Sequence, residues 1–132
     1  MIQSSANQKY GLSTVEFLVV IIIIMMLSAL VMVFMSVAIK EANDAERKAD
    51  IAQLMRILLA LRIDKEAFPV EKEECEIGKN CHVFDAALKS KYVEIPNDPR
   101  GEGYHYRYSS DGNDFTLKAT MSDGSVYVYD TY

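Results

Sequence analysis

The chain has 132 residues, a formal net charge of −5 and an apolar fraction of 50%, enough for one small domain with apolar surface to spare. The surplus is concentrated: residues 17–39 read FLVVIIIIMMLSALVMVFMSVAI, and Lys9 and Glu16 are the only Asp, Glu, Lys or Arg before residue 40. This distribution excludes an ordinary cytosolic globule, and the acidic remainder argues against a nucleic-acid reader, whose affinity comes from Lys and Arg displacing phosphate counterions.

A bilayer core about 30 Å thick takes roughly 20 helical residues, so the stretch Phe17 to Ile39 is long enough to span once. A secretory signal fits poorly, because its apolar region is shorter and ends in a small-residue cleavage site; here the run passes directly into a charged helical pattern. Glu16 lies inside the apolar boundary, with no cationic side chain from residue 10 to residue 39. A carboxylate costs about 2.5–3.5 kcal/mol at the middle of a membrane helix and less near an interface. With no partner on its own chain, it calls for a positive group from elsewhere. Lys9, Tyr10 and Gly11 stand just upstream, and cleavage after Gly11 would expose an ammonium on Leu12 for a neighbouring copy to use. A plain single-pass anchor is the alternative.

The segment G-L-S-T-V-E-F-L-V-V-I-I-I-I beginning at Gly11 resembles the processing motif of type IV prepilins and of the pseudopilins of type II secretion. The resemblance implies cleavage after Gly11 by a prepilin peptidase, N-methylation of Leu12, and an assembly role for Glu16 as the fifth mature residue. V-E-F is also similar to the tight-adherence pilins.

No Gly or Pro occurs between Leu12 and Phe68, so one helix is expected to run from the apolar segment through KEANDAERKADIAQLMRILLALRIDKEAF, which is rich in helix formers. Ile51, Leu54, Met55, Leu58 and Leu61 form an apolar stripe at three- and four-residue steps, with Arg47, Lys48, Asp50 and Gln53 read as lying off it. Pro69 should end the helix near Glu66 by restricting Phe68. This Phe-Pro is similar to the Tyr-Pro that closes the long helix of many pilins.

Residues 70–82, VEKEECEIGKNCH, read as a charged loop closed by Cys75 and Cys81, which should be joined if this part is exported. A metal site including His82 has too few ligands. Val83 to Ser90 reads as a short helix, and Pro96 and Pro99 bracket an irregular connection. Alternation in Tyr104, Tyr106 and Tyr108, in Phe115, Leu117, Ala119 and Met121, and in Val126 and Val128 against Tyr127 and Tyr129, with Gly-containing turns between, predicts a three-stranded antiparallel sheet. One face should cover the helix stripe, since a short meander is not stable alone. The fold class is α+β. Tyrosine is abundant, and an adhesive surface competes with ordinary strand chemistry. His105 reads as a surface residue.

Residues 95–119, IPNDPRGEGYHYRYSSDGNDFTLKA, resemble the tail of the major pseudopilin of type II secretion. In that family the C-terminal loops hold calcium; Asp98, Asp111, Asn113, Asp114 and Asp123 are the candidate oxygen ligands here, although Asp, Asn and Gly are also the ordinary residues of turns. Together the two resemblances imply a pilin-like fold with a leader at 1–11, a membrane and filament-core half-helix at 12–39, an amphipathic half-helix at 40–68 and a head at 69–132. They imply no enzyme activity, and a filament subunit that partners itself, a peptidase and methylase, an inner-membrane assembly platform and minor pseudopilins. The head would lie outside the cytoplasmic membrane. A surface type IV pilin for adhesion, motility or DNA uptake, and a membrane-anchored binding domain, are the competing functions.

Overall fold

The computed structural model describes residue 11 and residues 13–90 and 94–131. The first element, helix α1 (Thr14–Lys65), is unbroken for 52 residues, as expected of a segment without Gly or Pro. Arg62 and Lys65 occupy its last turn, where cations complement the helix dipole. Glu66 then adopts a left-handed φ of 60°, and its N–H closes the final turn on the Arg62 carbonyl at 2.8 Å. The described residues fall into two compact units, one ending at Ala38 and one beginning at Ile39.

In the second unit, α1 is followed by β1 (Glu71–Glu76), α2 (His82–Lys89), β2 (Arg107–Ser110), β3 (Phe115–Thr120) and β4 (Val126–Asp130). The strands form one antiparallel sheet in the order β1-β2-β3-β4. Ile51, Leu54, Leu58 and Leu61 of α1 share a single core with Phe84 and Leu88 of α2 and with Tyr108, Phe115, Leu117 and Ala119 of the sheet. Phe68 meets Phe115 edge to face at 4.7 Å and Phe84 meets Tyr108 at 4.4 Å between ring centroids. The Tyr108 hydroxyl donates to the Pro69 carbonyl at 2.8 Å, which fixes the path of the chain as it leaves α1.

Four expectations change. The sheet has four strands, because EKEECE, expected to be a charged loop, forms β1. Its charges are met across strands: Glu74 pairs with Arg107 of β2 at 2.9 Å and with Lys118 of β3. Opposite charges on one face stabilise neighbouring strands where apolar alternation is missing, and a charged edge resists pairing with foreign strands. Tyr104 lies outside the strands, exposed, with the Arg100 guanidinium 4.0 Å from its ring centroid. Arg47 is on the buried stripe: the series 47, 51, 54, 58, 61 advances by four and three residues, and Arg47 is 0% exposed. Met55 is only partly buried. In β4, Tyr127 and Tyr129 turn toward the core and Val126 and Val128 are exposed.

Candidate functional site

At the N-terminal end, Gly11 is exposed, with no described atom within 4 Å of where a Cβ would stand. Leu12, the expected methylated residue, and residues 1–10 of the expected leader 1–11 lie outside the described residues. Ser13 precedes the first helical residue and its carbonyl accepts from the Phe17 N–H at 3.0 Å. Glu16 sits in the first turn, and its Oε2 accepts the Ser13 backbone N–H at 3.4 Å. This is the reverse half of a capping box, so the expectation that Glu16 has no partner on its own chain is corrected. The bond is long, and among the described residues it is the one that engages the carboxylate. The helix N-terminus adds a favourable field for the negative charge.

From Thr14 to Ile39 every residue is exposed, including Met32 at 75% and Phe34 at 72%. The two serines in this run are satisfied within the helix, Ser28 donating to the Ile24 carbonyl at 2.7 Å and Ser36 to the Val33 carbonyl at 2.9 Å. The helical backbone of the run and its two serine hydroxyls are thus paired without water, as a bilayer requires. The helix includes an 18-residue window of mean hydropathy 3.2, apolar and long enough to cross a membrane.

The second feature is a buried polar latch between α1 and the segments on either side of the sheet's last turns. Arg47 Nε donates to both Asp98 carboxylate oxygens at 3.2 Å, and its Nη1 donates to Asp44 and, at 3.1 Å, to the Ser122 hydroxyl. Asp44 in turn accepts the Ser122 backbone N–H at 2.8 Å. Arg100 grips Asp98 from the other side at 3.0 and 3.1 Å and donates to the Thr120 carbonyl at 2.7 Å. The Tyr106 hydroxyl donates to Asp50 at 2.5 Å.

Burial by itself would raise the Asp98 carboxyl, but the hydrogen bonds and charges of Arg100 and the charge of Arg47 outweigh it and hold it below the ordinary carboxylate range. The same balance lowers Asp44, where the opposing bonds come from Ser122 and then Arg47. Glu74 on the outer face is also lowered, first by its bond to Lys118. Burial and then Asp50 push the Tyr106 hydroxyl far above its usual value; burial carries Tyr108 up to about 12. Sequence reasoning missed this latch. The available signal was an arginine four residues before Ile51 and in helical phase with it.

Cys75 and Cys81 are joined in a disulfide, with Cα atoms 5.1 Å apart and both residues buried. The bridge links the end of β1 to the start of α2. The candidate calcium ligands are not brought together. Asp98 is spent on two arginines. Asp111 accepts the N–H groups of Asn113 and Asp114 at 2.9 and 3.0 Å, and Asp123 accepts that of Ser125 at 2.8 Å. The turn carrying Asp111, Asn113 and Asp114 precedes β3 and the one carrying Asp123 follows it, so they sit at opposite ends of that strand. Among the described residues no cluster of three His, Cys, Asp or Glu could hold a metal. In this structure Asp98 serves the latch, and Asp111 and Asp123 serve turns. Tyr106 and Tyr108 are core residues, at 1% and 0% exposure, and so cannot belong to an adhesive surface. His105 is half-buried.

A long helix, apolar in its first half and covered in its second by a small antiparallel sheet, defines a pilin-like α+β subunit. Residues 35–129 match the family model described as Type II secretion system (T2SS), protein G. The chain belongs to this family of pseudopilins, which are structural, non-catalytic proteins. No curated protein and no solved structure matches it. The family match begins at Met35, beyond Gly11 and Glu16, so it is independent of the N-terminal processing motif.

Proposed function

We propose that this chain is a filament subunit that drives type II protein secretion, made as a precursor, cut after Gly11, methylated at Leu12 and polymerised into a pseudopilus. The observation that carries the reading is the family match over the head and the outer half of α1. A second signal supports it: the Gly11–Glu16 motif stands ahead of a helix able to span a bilayer. Residues 1–11 are the leader, 12–39 the membrane and filament-core half-helix, 40–68 the amphipathic half-helix and 69–132 the head. Before assembly the precursor sits in the cytoplasmic membrane with its head outside. Its partners are a prepilin peptidase and methylase, the inner-membrane platform, minor pseudopilins and further copies of itself.

Moving the apolar helix from lipid into a bundle exchanges one apolar medium for another and yields little hydrophobic energy, so packing and charge select the register. Glu16 pairs with the Leu12 ammonium of an adjacent copy, exchanging its long bond to Ser13 for a charge-assisted one. A one-turn slip would leave both charges buried and unpaired, at a cost of several kcal/mol. Met25, Met26, Met32 and Met35 fill irregular gaps between neighbouring rods.

Intact-mass spectrometry of the protein from native membranes tests the reading. The expected species starts at Leu12, carries one added methyl group and lacks the two hydrogens lost to the Cys75–Cys81 bridge. A mature protein that retains residues 1–11, as a plain membrane-anchored domain would, overturns it.

A further inference from the structure

At the Lys65 end of α1 the head carries an apolar groove. Phe68 and Pro69, where the chain leaves α1, and Val83 and Ala86 of α2 wall an open cleft of about 650 Å³, a size that takes a large side chain and its neighbours. Val83, at 50%, and Ala86 are exposed, so folding leaves this apolar surface in water. The lining includes Lys65 and His82 and no carboxylate. Neither Lys65 nor His82 has an ion pair among the described residues. Glu71, at the start of β1, is spent on α2, its Oε1 accepting the Val83 N–H at 2.7 Å. The groove therefore suits an aromatic or apolar side chain that stands beside an acid.

The head presents such a pair at its other end. The turn of residues 101–104, GEGY, is tied through Asp98 to Arg47, which precedes Lys65 on α1 by 18 residues, about 27 Å. Gly101 and Gly103 hold φ of 88° and 96°. The Gly101 N–H donates to the Asp98 carbonyl at 2.9 Å and the Tyr104 N–H to the Gly101 carbonyl at 3.3 Å. Arg100, fixed on Asp98, braces one face of the Tyr104 ring. The ring is still 48% exposed, and Glu102 is exposed with no ion pair among the described residues. Tyr104 is thus an aromatic knob held rigid before anything binds it, with a free carboxylate two residues away.

We infer that the groove receives the 101–104 turn of a second copy of this chain, with Tyr104 seated against Phe68, Pro69 and Val83 and Glu102 meeting Lys65. The inference rests on the filament reading and names a contact between heads, separate from any contact of the apolar half-helices. Charge complementarity selects this occupant: the groove offers a cation and a His82 donor without an acid, and the turn offers an acid beside its aromatic ring. A preformed aromatic anchor entering an apolar pocket is also the arrangement that concentrates binding energy in a small contact. Lipid is a poor alternative, because Lys65 lies 26 residues along α1 from Ile39, about 39 Å beyond the end of the apolar run. Knob and groove occupy opposite ends of the head, so one copy can fill a neighbour's groove while its own is filled by another. Such a heterologous contact does not close on a pair.

Photo-cross-linking of the full chain in cells that assemble the filament tests the contact. With Tyr104 replaced by the photoreactive p-benzoylphenylalanine, illumination is expected to give dimers and higher multimers whose joined peptides map to residues 65–70 or 82–87 of another copy. Adding Ala86→Phe, which fills the groove from an exposed position, should abolish those products and leave the melting temperature of the head unchanged. Glu102→Lys should lower filament yield by about fivefold or more, and Lys65→Glu in the same chain should restore more than half of it. Cross-links that map elsewhere on a second copy, or to a different protein, overturn the inference. So do normal filament yields from both Tyr104→Ala and Ala86→Phe. Each of these results leaves the proposed function standing. If the unaltered mature chain forms no filament, both fall.

Discussion

The two units of this chain satisfy their polar groups in opposite ways. From Ile39 onward, the polar groups nearest the core find long-range partners in the same chain: Arg47 with Asp98, Arg100 with Thr120, Tyr106 with Asp50 and Glu74 with two strands. Among the described residues up to Ala38 every hydrogen bond is local, within four residues, and the side chains are uniformly exposed. One unit counters its buried carboxylate within a single copy and is in that sense complete. The other has its two serines bonded within the helix but, among the described residues, leaves its apolar surface and most of the Glu16 carboxylate for lipid or for other copies.

The largest effect should come from breaking the incomplete unit. Glu16→Leu is expected to abolish filament assembly, measured as sheared filaments recovered from cells, while leader removal and the melting temperature of the head stay unchanged. A variant that assembles normally would show that the carboxylate serves only its local cap.

Breaking the complete unit should cost stability without touching the membrane half. Arg47→Ala takes from buried Asp98 one of its two arginines and leaves Asp44 with Ser122 alone. Removing one partner of a buried ion pair costs on the order of 3–5 kcal/mol, and the retained Arg100 contact places this variant near the lower figure. Urea unfolding of the detergent-solubilised chain, followed by tyrosine signals, measures it.

The latch also sets an acid limit. Asp44, Glu74 and Asp98 are held below their ordinary carboxylate values in the folded chain. Their contribution is therefore fully present above the unfolded values of about 4 and is lost as pH falls through the folded ones. The melting temperature should be flat above about pH 5 and fall steadily below about pH 4, and Asp98→Asn should flatten part of that fall.

The smallest effect concerns the helix end. Glu66 holds a left-handed φ of 60°, a conformation that costs a side-chain-bearing residue about 1–2 kcal/mol and glycine little. Glu66→Gly gives back part of this through the freer unfolded chain and should still stabilise the head by about 0.5–1 kcal/mol, read as a small rise in melting temperature.

Much of this architecture was legible in residue order. The unbroken α1 follows from the absence of Gly and Pro between Leu12 and Phe68, and β3 from its strict alternation, because both depend on periods of one element. What residue order could not show depends on where distant segments meet. EKEECE lacks any strand alternation and became β1 because Arg107 and Lys118, from two other strands, supply partners for Glu74. Arg47 looked like a solvated charge and is buried because Asp98, 51 residues away, neutralises it. Asp98, Asp111 and Asp123 could be read as ion ligands or as turn residues, and the fold put them to separate uses. The sequence by itself determined which segments are helical, apolar or able to turn, since those preferences are local. Only the tertiary structure decided the fourth strand, the buried arginine and the fate of each carboxylate, because a charge leaves water only where folding brings its counter-charge to meet it.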